Sequence, residues 1–244
     1  MTAVRNFGFR FPFGPLAFKD GAGAAGMPVM DHITANSKSL TVVEHSLAAA
    51  KLSILRAKAT PVETFRRTLK EISIVLLTEA ARDWETSSIK IQTPLKEAVG
   101  RNVTREVTLV PILRAGLGML EGMIQVLPDA AVGHIGLYRD EQTLRSINYF
   151  VRLPLGLSQM QVVLIDPMLA TGNSACTAVS LLKEEGARRI QFICAISSPP
   201  GIQQLQTSHP DVAIVTAAVD PELNRAGFIV PGLGDAGDRC FGTG

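Results

Sequence analysis

The residues best placed to do chemistry stand where apolar runs end in small or charged side chains. The clearest case is VVLIDPMLATGNS, residues 162–174. Val162 to Ile165 are apolar and mostly β-branched, which suits a buried strand. Asp166 arrives at the end of that run, where a carboxylate can accept hydrogen bonds from hydroxyls such as a ribose diol. Thr171, Gly172, Asn173 and Ser174 follow as a small, hydrogen-bonding loop. Gly172 can take a positive φ, and Asn173 is the next most tolerant of it. Ser174 suits a helix N-cap ahead of an amphipathic run carrying Ala175, Val179 and Leu182. A helix N-terminus offers free N–H groups and the positive end of a dipole, which favour a phosphate. The stretch reads as a sugar-phosphate site.

Two further clusters have the same strand-then-charge form. In VPILRAGLGM, residues 110–119, Arg114 closes an apolar strand and is followed by Ala115, Gly116 and Gly118. A guanidinium beside small residues lets backbone amides converge on one anion; the alternative is an ordinary turn whose arginine faces water. In YRDEQT, residues 138–143, Arg139 lies in a polar tip between the strand-like runs 132–137 and 147–153. That pattern is a projecting β-hairpin, with its tip either a lid or an exposed loop. The tail, GFIVPGLGDAGDRCFGTG, is glycine-rich but anchored by Phe228, Ile229, Val230 and Phe241, which favours an ordered cap able to approach a flat ligand closely.

These groups need a scaffold. Strands are expected at 107–110, 132–137, 162–165, 190–196 and 212–219, with helices between them from Met119, after Ser174, and from Ser197-Ser198-Pro199-Pro200. Repeated strand–helix–strand passes imply a parallel sheet with right-handed crossovers, whose ligands bind at the carboxyl ends of the strands. Arg114, Arg139 and Asp166 all fall at such ends. Thr60-Pro61-Val62-Glu63 predicts a helix start, with Thr60 as N-cap, and apolar residues at 62, 65, 69, 72, 76 and 80 carry that helix to about Trp84. Its polar face holds Arg66, Arg67 and Lys70. Ile89 and Ile91 suggest a strand, with Pro94 and Gly100 in a loop after it.

The 244 residues are 46% hydrophobic with a net charge of +2, and mean hydropathy is positive. That supports a buried core and offers no basic stripe for nucleic acid. No apolar run approaches the roughly 18 residues of a membrane span. Cys176, Cys194 and Cys240 are odd in number and far apart, which favours free thiols in a reducing compartment. Residues 1–36 read as a disordered extension ahead of one domain at 37–244, with Met30 a conceivable functional start; a transit segment is the alternative, and the h-region of a signal peptide is missing.

Taken together, residues 110–119, 138–143, 162–174 and 228–243 resemble the uracil phosphoribosyltransferases, within the type I phosphoribosyltransferases. The resemblance covers roughly Leu40 to Gly244. Most type I members carry two adjacent acids where this chain has Asp166-Pro167, a form shared with the uracil branch. The resemblance implies an α/β, parallel-sheet fold with a projecting β-hairpin and a C-terminal base-binding cap. It implies transfer of the phosphoribosyl group from phosphoribosyl pyrophosphate (PRPP) to uracil, giving UMP and pyrophosphate, with Mg2+ carried by PRPP and no metal bound directly by protein.

Carried over by residue, Arg114, Arg139, Asp166, Pro167, Met168, Leu169, Ala170, Thr171, Gly172, Asn173, Ser174 and Asp235 are the PRPP contacts. Ile229, Gly234, Asp235 and Ala236 are the uracil contacts, and Arg139 and Asp235 are the catalytic residues. The resemblance further implies a homo-oligomer, dimer or tetramer, while the balanced charge and the short apolar runs argue against nucleic-acid and membrane partners and the thiols favour a cytoplasmic setting. Several members of the family are activated by GTP, for which Arg66, Arg67 and Lys70 are either a contact or simply a solvated face. The family's usual Thr-Gly-Gly-Ser loop reads Thr171-Gly172-Asn173-Ser174 here. A phosphoribosyltransferase for another base and an RNA-binding regulator on the same fold are the competing functions.

Overall fold

The fold is seen in a computed structural model, which describes residues 39–139 and 146–243. Residues 1–36 and the hairpin tip at 140–145 lie outside the described residues, as does the side chain of Arg139.

The chain opens with β1 (Leu40–Val42), α1 (Ser46–Arg56) and α2 (Val62–Ala80). A hairpin of β2 (Thr86–Gln92) and β3 (Glu97–Val103) follows. Then come β4 (Val107–Leu113), α3 (Leu117–Val126), β5 (Ala131–Val132), β6 (His134–Arg139) and β7 (Ser146–Arg152). The second half runs β8 (Gln161–Ile165), β9 (Met168–Leu169), α4 (Asn173–Glu184), β10 (Ile190–Ser197), α5 (Pro199–Ser208) and β11 (Ala213–Val219). It closes with β12 (Glu222–Leu223), β13 (Ile229–Val230) and α6 (Ala236–Phe241).

Among the described residues, the main sheet has the order β1-β11-β10-β8-β4-β6-β7, with β5 beside β4 and β9 beside β10. Pairing is parallel except between β6 and β7, which form an antiparallel hairpin. Alternation along the buried strands divides the core between two faces. Leu109, Val163, Ile165 and Ile193 pack with Leu52, Leu55, Phe65, Leu69, Ile72 and Met119 beneath α1, α2 and α3. Val110, Ile112, Val162, Leu164 and Phe192 pack on the other face with Ala178, Val179, Leu182, Ile202 and Leu205 from α4 and α5. Helices on both faces of a parallel sheet make this a doubly wound α/β fold.

The differences from the sequence expectations are local. The helix α2 begins at Val62 with Pro61 in the cap position and no side-chain cap; the Thr60 hydroxyl instead donates to the carbonyl of Ile54 on α1 at 2.6 Å. It ends at Ala80, short of Trp84, whose indole N–H donates to Gln191 at 2.8 Å. Gly100 lies in β3 opposite Ile89, not in a loop: a run of Glu, Ala, Val, Gly, Arg and Asn shows no period-two pattern, because both strands are largely exposed. The strand expected at 132–137 is broken at Gly133 into β5 and β6.

Candidate active site

The loop expected to cradle a sugar phosphate forms where β8 gives out. Asp166 follows Ile165, and its N–H donates to the carbonyl of Ile193. Pro167 contributes its carbonyl, which accepts from Ala195 and Ile196 and pins the turn to β10. Met168 and Leu169 pair with β10 as β9. Gly172, at φ +83°, is the cap residue of α4, which starts at Asn173. The expected cap, Ser174, therefore stands inside the first turn, two residues past the observed cap at Gly172, because glycine takes this left-handed backbone without strain. A Cβ at Gly172 would also lie 2.9 Å from Cβ of Gln204.

The loop is buttressed from α5. Ser198 accepts from the N–H of Gly201 as N-cap, and its hydroxyl donates to the carbonyl of Ala170 at 2.6 Å. Its own N–H donates to the carbonyl of Leu169 at 3.0 Å. The N–H groups of the first turn of α4, with its dipole, are thus presented from a loop held on both sides.

A cavity of about 350 Å³ opens over this loop. Asp166, every residue from Met168 to Ser174, Ile229 and Asp235 line it. Ala175, Ala226, Gly227 and Phe228 line it too, although none is among the expected contacts; the glycine before Phe228-Ile229 is the available signal. Asn224 shapes that approach, its side-chain carbonyl accepting from the N–H groups of Ala226 and Phe228, each at 3.0 Å.

Asp166 is half-buried, and removal from bulk water pushes its pKa up to about 7. The N–H of Met168 opposes that rise, while the negative charge of Asp235 adds to it. Asp235 caps α6, accepting from the N–H of Asp238 at 2.9 Å. Asp166 and Asp235 place two carboxylates on one cavity, the donor chemistry that suits a hard divalent cation.

Arg114, Pro167, Gly234 and Ala236 do not line this cavity. Arg114 lies just beyond β4, with its side chain 57% exposed and 3.4 Å from Asp238. It remains close to the tail: the position of a Cβ on Gly237 would be 3.2 Å from Asp235 Oδ1 and 3.9 Å from Arg114 Nη2. Gly116 makes the sharp turn after Arg114 possible, since a Cβ there would meet the carbonyl oxygens of Ile165 and Ile112. Gly234 has φ +78°, and Ala236 is buried at the start of α6. Arg139 ends β6, which pairs with β4. The tail is an ordered cap, as its apolar anchors suggest.

The basic face of α2 is partly engaged. Arg66 donates through Nε and Nη2 to the carbonyl of Cys240, at 3.1 and 2.9 Å. Arg67 lies 3.8 Å from Glu63, and Lys70 lies 4.0 Å from Glu121.

The sequence model of the uracil phosphoribosyltransferase family matches residues 42–243. This chain belongs to that family. It is 52% identical over 203 residues to the uracil phosphoribosyltransferase of Dictyoglomus turgidum, covering 83% of this chain and 98% of that protein. It is 49% identical to the enzyme of Streptococcus uberis, covering 83% and 97%. Among solved structures, the AQ2163 protein from Aquifex aeolicus matches with a TM-score of 0.80 at 36% identity, over 84% of this chain and 98% of that one. The doubly wound sheet with its antiparallel β6–β7 hairpin is thus the type I phosphoribosyltransferase fold, and the chain is a glycosyltransferase by family. None of the described helices is long and apolar enough to cross a membrane.

Proposed function

We propose that this chain performs the reaction for which its family is named, uracil + PRPP → UMP + pyrophosphate, in pyrimidine salvage. The observation that carries the reading is that the loop before α4 and the tail residues Phe228, Ile229 and Asp235 line one cavity. In this assignment the backbone from Ala170 to Ser174 holds the 5′-phosphate at the N-terminus of α4. Asp166 accepts from the ribose hydroxyls, with Pro167, Met168 and Leu169 fixing its turn. Arg114 and Arg139 take the pyrophosphate. Ile229, Gly234 and Ala236 read uracil, chiefly through backbone N–H and C=O groups.

The chemistry asks for little covalent help from protein. Uracil N1 attacks C1 of the ribose, the C1–O bond to pyrophosphate breaks, and the N1 proton is released. Charge gathers on the leaving pyrophosphate while the sugar becomes cationic. Arg114 and Arg139 would offset the first, at about 1.5–3 kcal/mol for each charge-assisted hydrogen bond. Asp166 and Asp235, on the ribose side, would tolerate the second. Mg2+ brought by PRPP would face these two carboxylates and supply further charge neutralisation.

Assembly as a dimer or tetramer is part of the proposal. The β2–β3 hairpin supports it, because Ile89, Ile91 and Val99 are exposed on a two-stranded sheet, a structure marginal on its own in water. Sedimentation at micromolar concentration checks it: a monomer would contradict it. GTP activation is proposed as well, with Arg67 and Lys70 as the outward cations of α2; unchanged rates with added GTP would contradict it. A cytoplasmic setting accords with three free thiols among the described residues, Cys176, Cys194 and Cys240. The reaction itself is tested by mixing protein, Mg2+ and PRPP with uracil and following UMP.

A further inference from the structure

Arg56 and Asp220 stand outside the substrate cavity, yet they grip the tail at its centre. Asp220, just after β11, is 5% exposed. Its two carboxylate oxygens accept from Nη1 and Nη2 of Arg56, the last residue of α1, each at 2.6 Å. The same pair takes hold of Gly232 by both of its backbone polar groups. The Gly232 N–H donates to Asp220 Oδ2 at 2.9 Å, and the Gly232 carbonyl accepts from Arg56 Nη1 at 2.9 Å.

Gly232 has φ +60°, and a Cβ there would run into the carbonyl of Ile229. The clamp therefore fixes a residue on which the turn from Ile229 to Gly234 depends. Arg239 adds a second tie. It donates to the carbonyls of Leu233, Leu55 and Ala57, with its guanidinium 4.4 Å from the centre of the Phe65 ring. The segment 229–235 is thus fastened to the C-terminal end of α1, not left as a surface loop. The phosphate loop takes its supports from β10 and from the Ser198 hydroxyl; Asp220 meets that region through its backbone N–H, which donates to the carbonyl of Ser197 at 2.8 Å, a bond that a side-chain substitution leaves in place.

We infer that Arg56 and Asp220 are positioning residues for the uracil pocket. Neither touches substrate; together they set where the N–H and C=O groups of residues 229–236 point. The inference rests on the proposed reading of that segment as the uracil contact. A site that reads its ligand by backbone groups tolerates little displacement, because it has no flexible side chain to compensate. A buried, bidentate, charge-assisted pair is suited to such a task.

The test is steady-state kinetics on the full chain as Asp220→Asn and Arg56→Lys, with far-UV circular dichroism and thermal melts to check folding. Arg56→Lys keeps the charge while losing the bidentate fork. The expected result is a rise of about tenfold or more in KM for uracil, with KM for PRPP within about twofold of wild type. Equal rises in both KM values, or two variants that do not fold, would assign the pair to general stability and overturn the inference. Unchanged uracil kinetics in folded variants would overturn it alone, leaving the reaction intact. A wild-type protein that makes no UMP from uracil would remove the reaction and the inference together.

Discussion

Asp166 and Asp235 line the same cavity, and the negative charge of Asp235 helps hold the pKa of Asp166 near 7. The unfolded value for Asp166 is 3.8, so the folded state binds its proton more tightly. The contribution of this group to stability is therefore greatest at low pH and is lost as pH rises between about 4 and 7. In the proposed role the dependence runs the other way, because the ionised carboxylate is the form that accepts hydrogen bonds from hydroxyls and attracts cationic charge. We expect kcat/KM for PRPP to fall as pH drops through about 7. Asp166→Asn should lower kcat/KM by roughly a hundredfold and abolish that acidic limb. A wild-type profile flat from pH 5 to 8 would contradict this role.

The phosphate loop should be intolerant of a side chain at its cap. Gly172→Ala forces an L-residue to φ +83° and brings a methyl group against Gln204. The backbone term alone costs about 1–2 kcal/mol. KM for PRPP is expected to rise about tenfold, with a smaller change for uracil. Initial rates across a PRPP series decide it, and an unaltered KM would remove the loop from the phosphate site.

Ser198 offers a milder lesion. Ser198→Ala deletes both the cap to Gly201 and the bond to Ala170. Loss of a cap lowers stability by about 1 kcal/mol, which a melting curve should record as a lower Tm. KM for PRPP should increase a few-fold, because the Ala170 carbonyl is freed to move. An unchanged Tm would mean that the cap contributes nothing.

Gly234→Val addresses the base side. Valine is strongly disfavoured at φ +78°, so the peptide units beside it must turn. Uracil affinity should fail first, by about tenfold or more, while PRPP binding measured by calorimetry persists. Loss of PRPP binding with uracil binding intact would reverse the map of the cavity.

Much of this fold was legible because its strands are buried on both faces. Runs such as VVLI at 162–165 leave few alternatives to a parallel sheet, and the charge that follows each run marks the edge where ligands bind. The β3 strand was not legible, because an exposed strand carries no burial pattern. Ser174 was misplaced as the cap since its side chain is the better capping group; the left-handed backbone at Gly172 decided the matter. Arg56 and Asp220 were invisible as a pair, being far apart in sequence and joined only by folding. Phe228 is an apolar anchor of the tail by sequence, and it also lines the cavity. The contacts of Arg139 lie outside the described residues.

The most direct test of the central claim is a base-selection assay. Purified protein is mixed with Mg2+ and PRPP and with uracil, hypoxanthine or orotate in turn, and nucleotide and pyrophosphate are quantified. The account predicts UMP and pyrophosphate in equal amounts from uracil, and no nucleotide from the other two bases. Another nucleotide formed while uracil yields no UMP would contradict it.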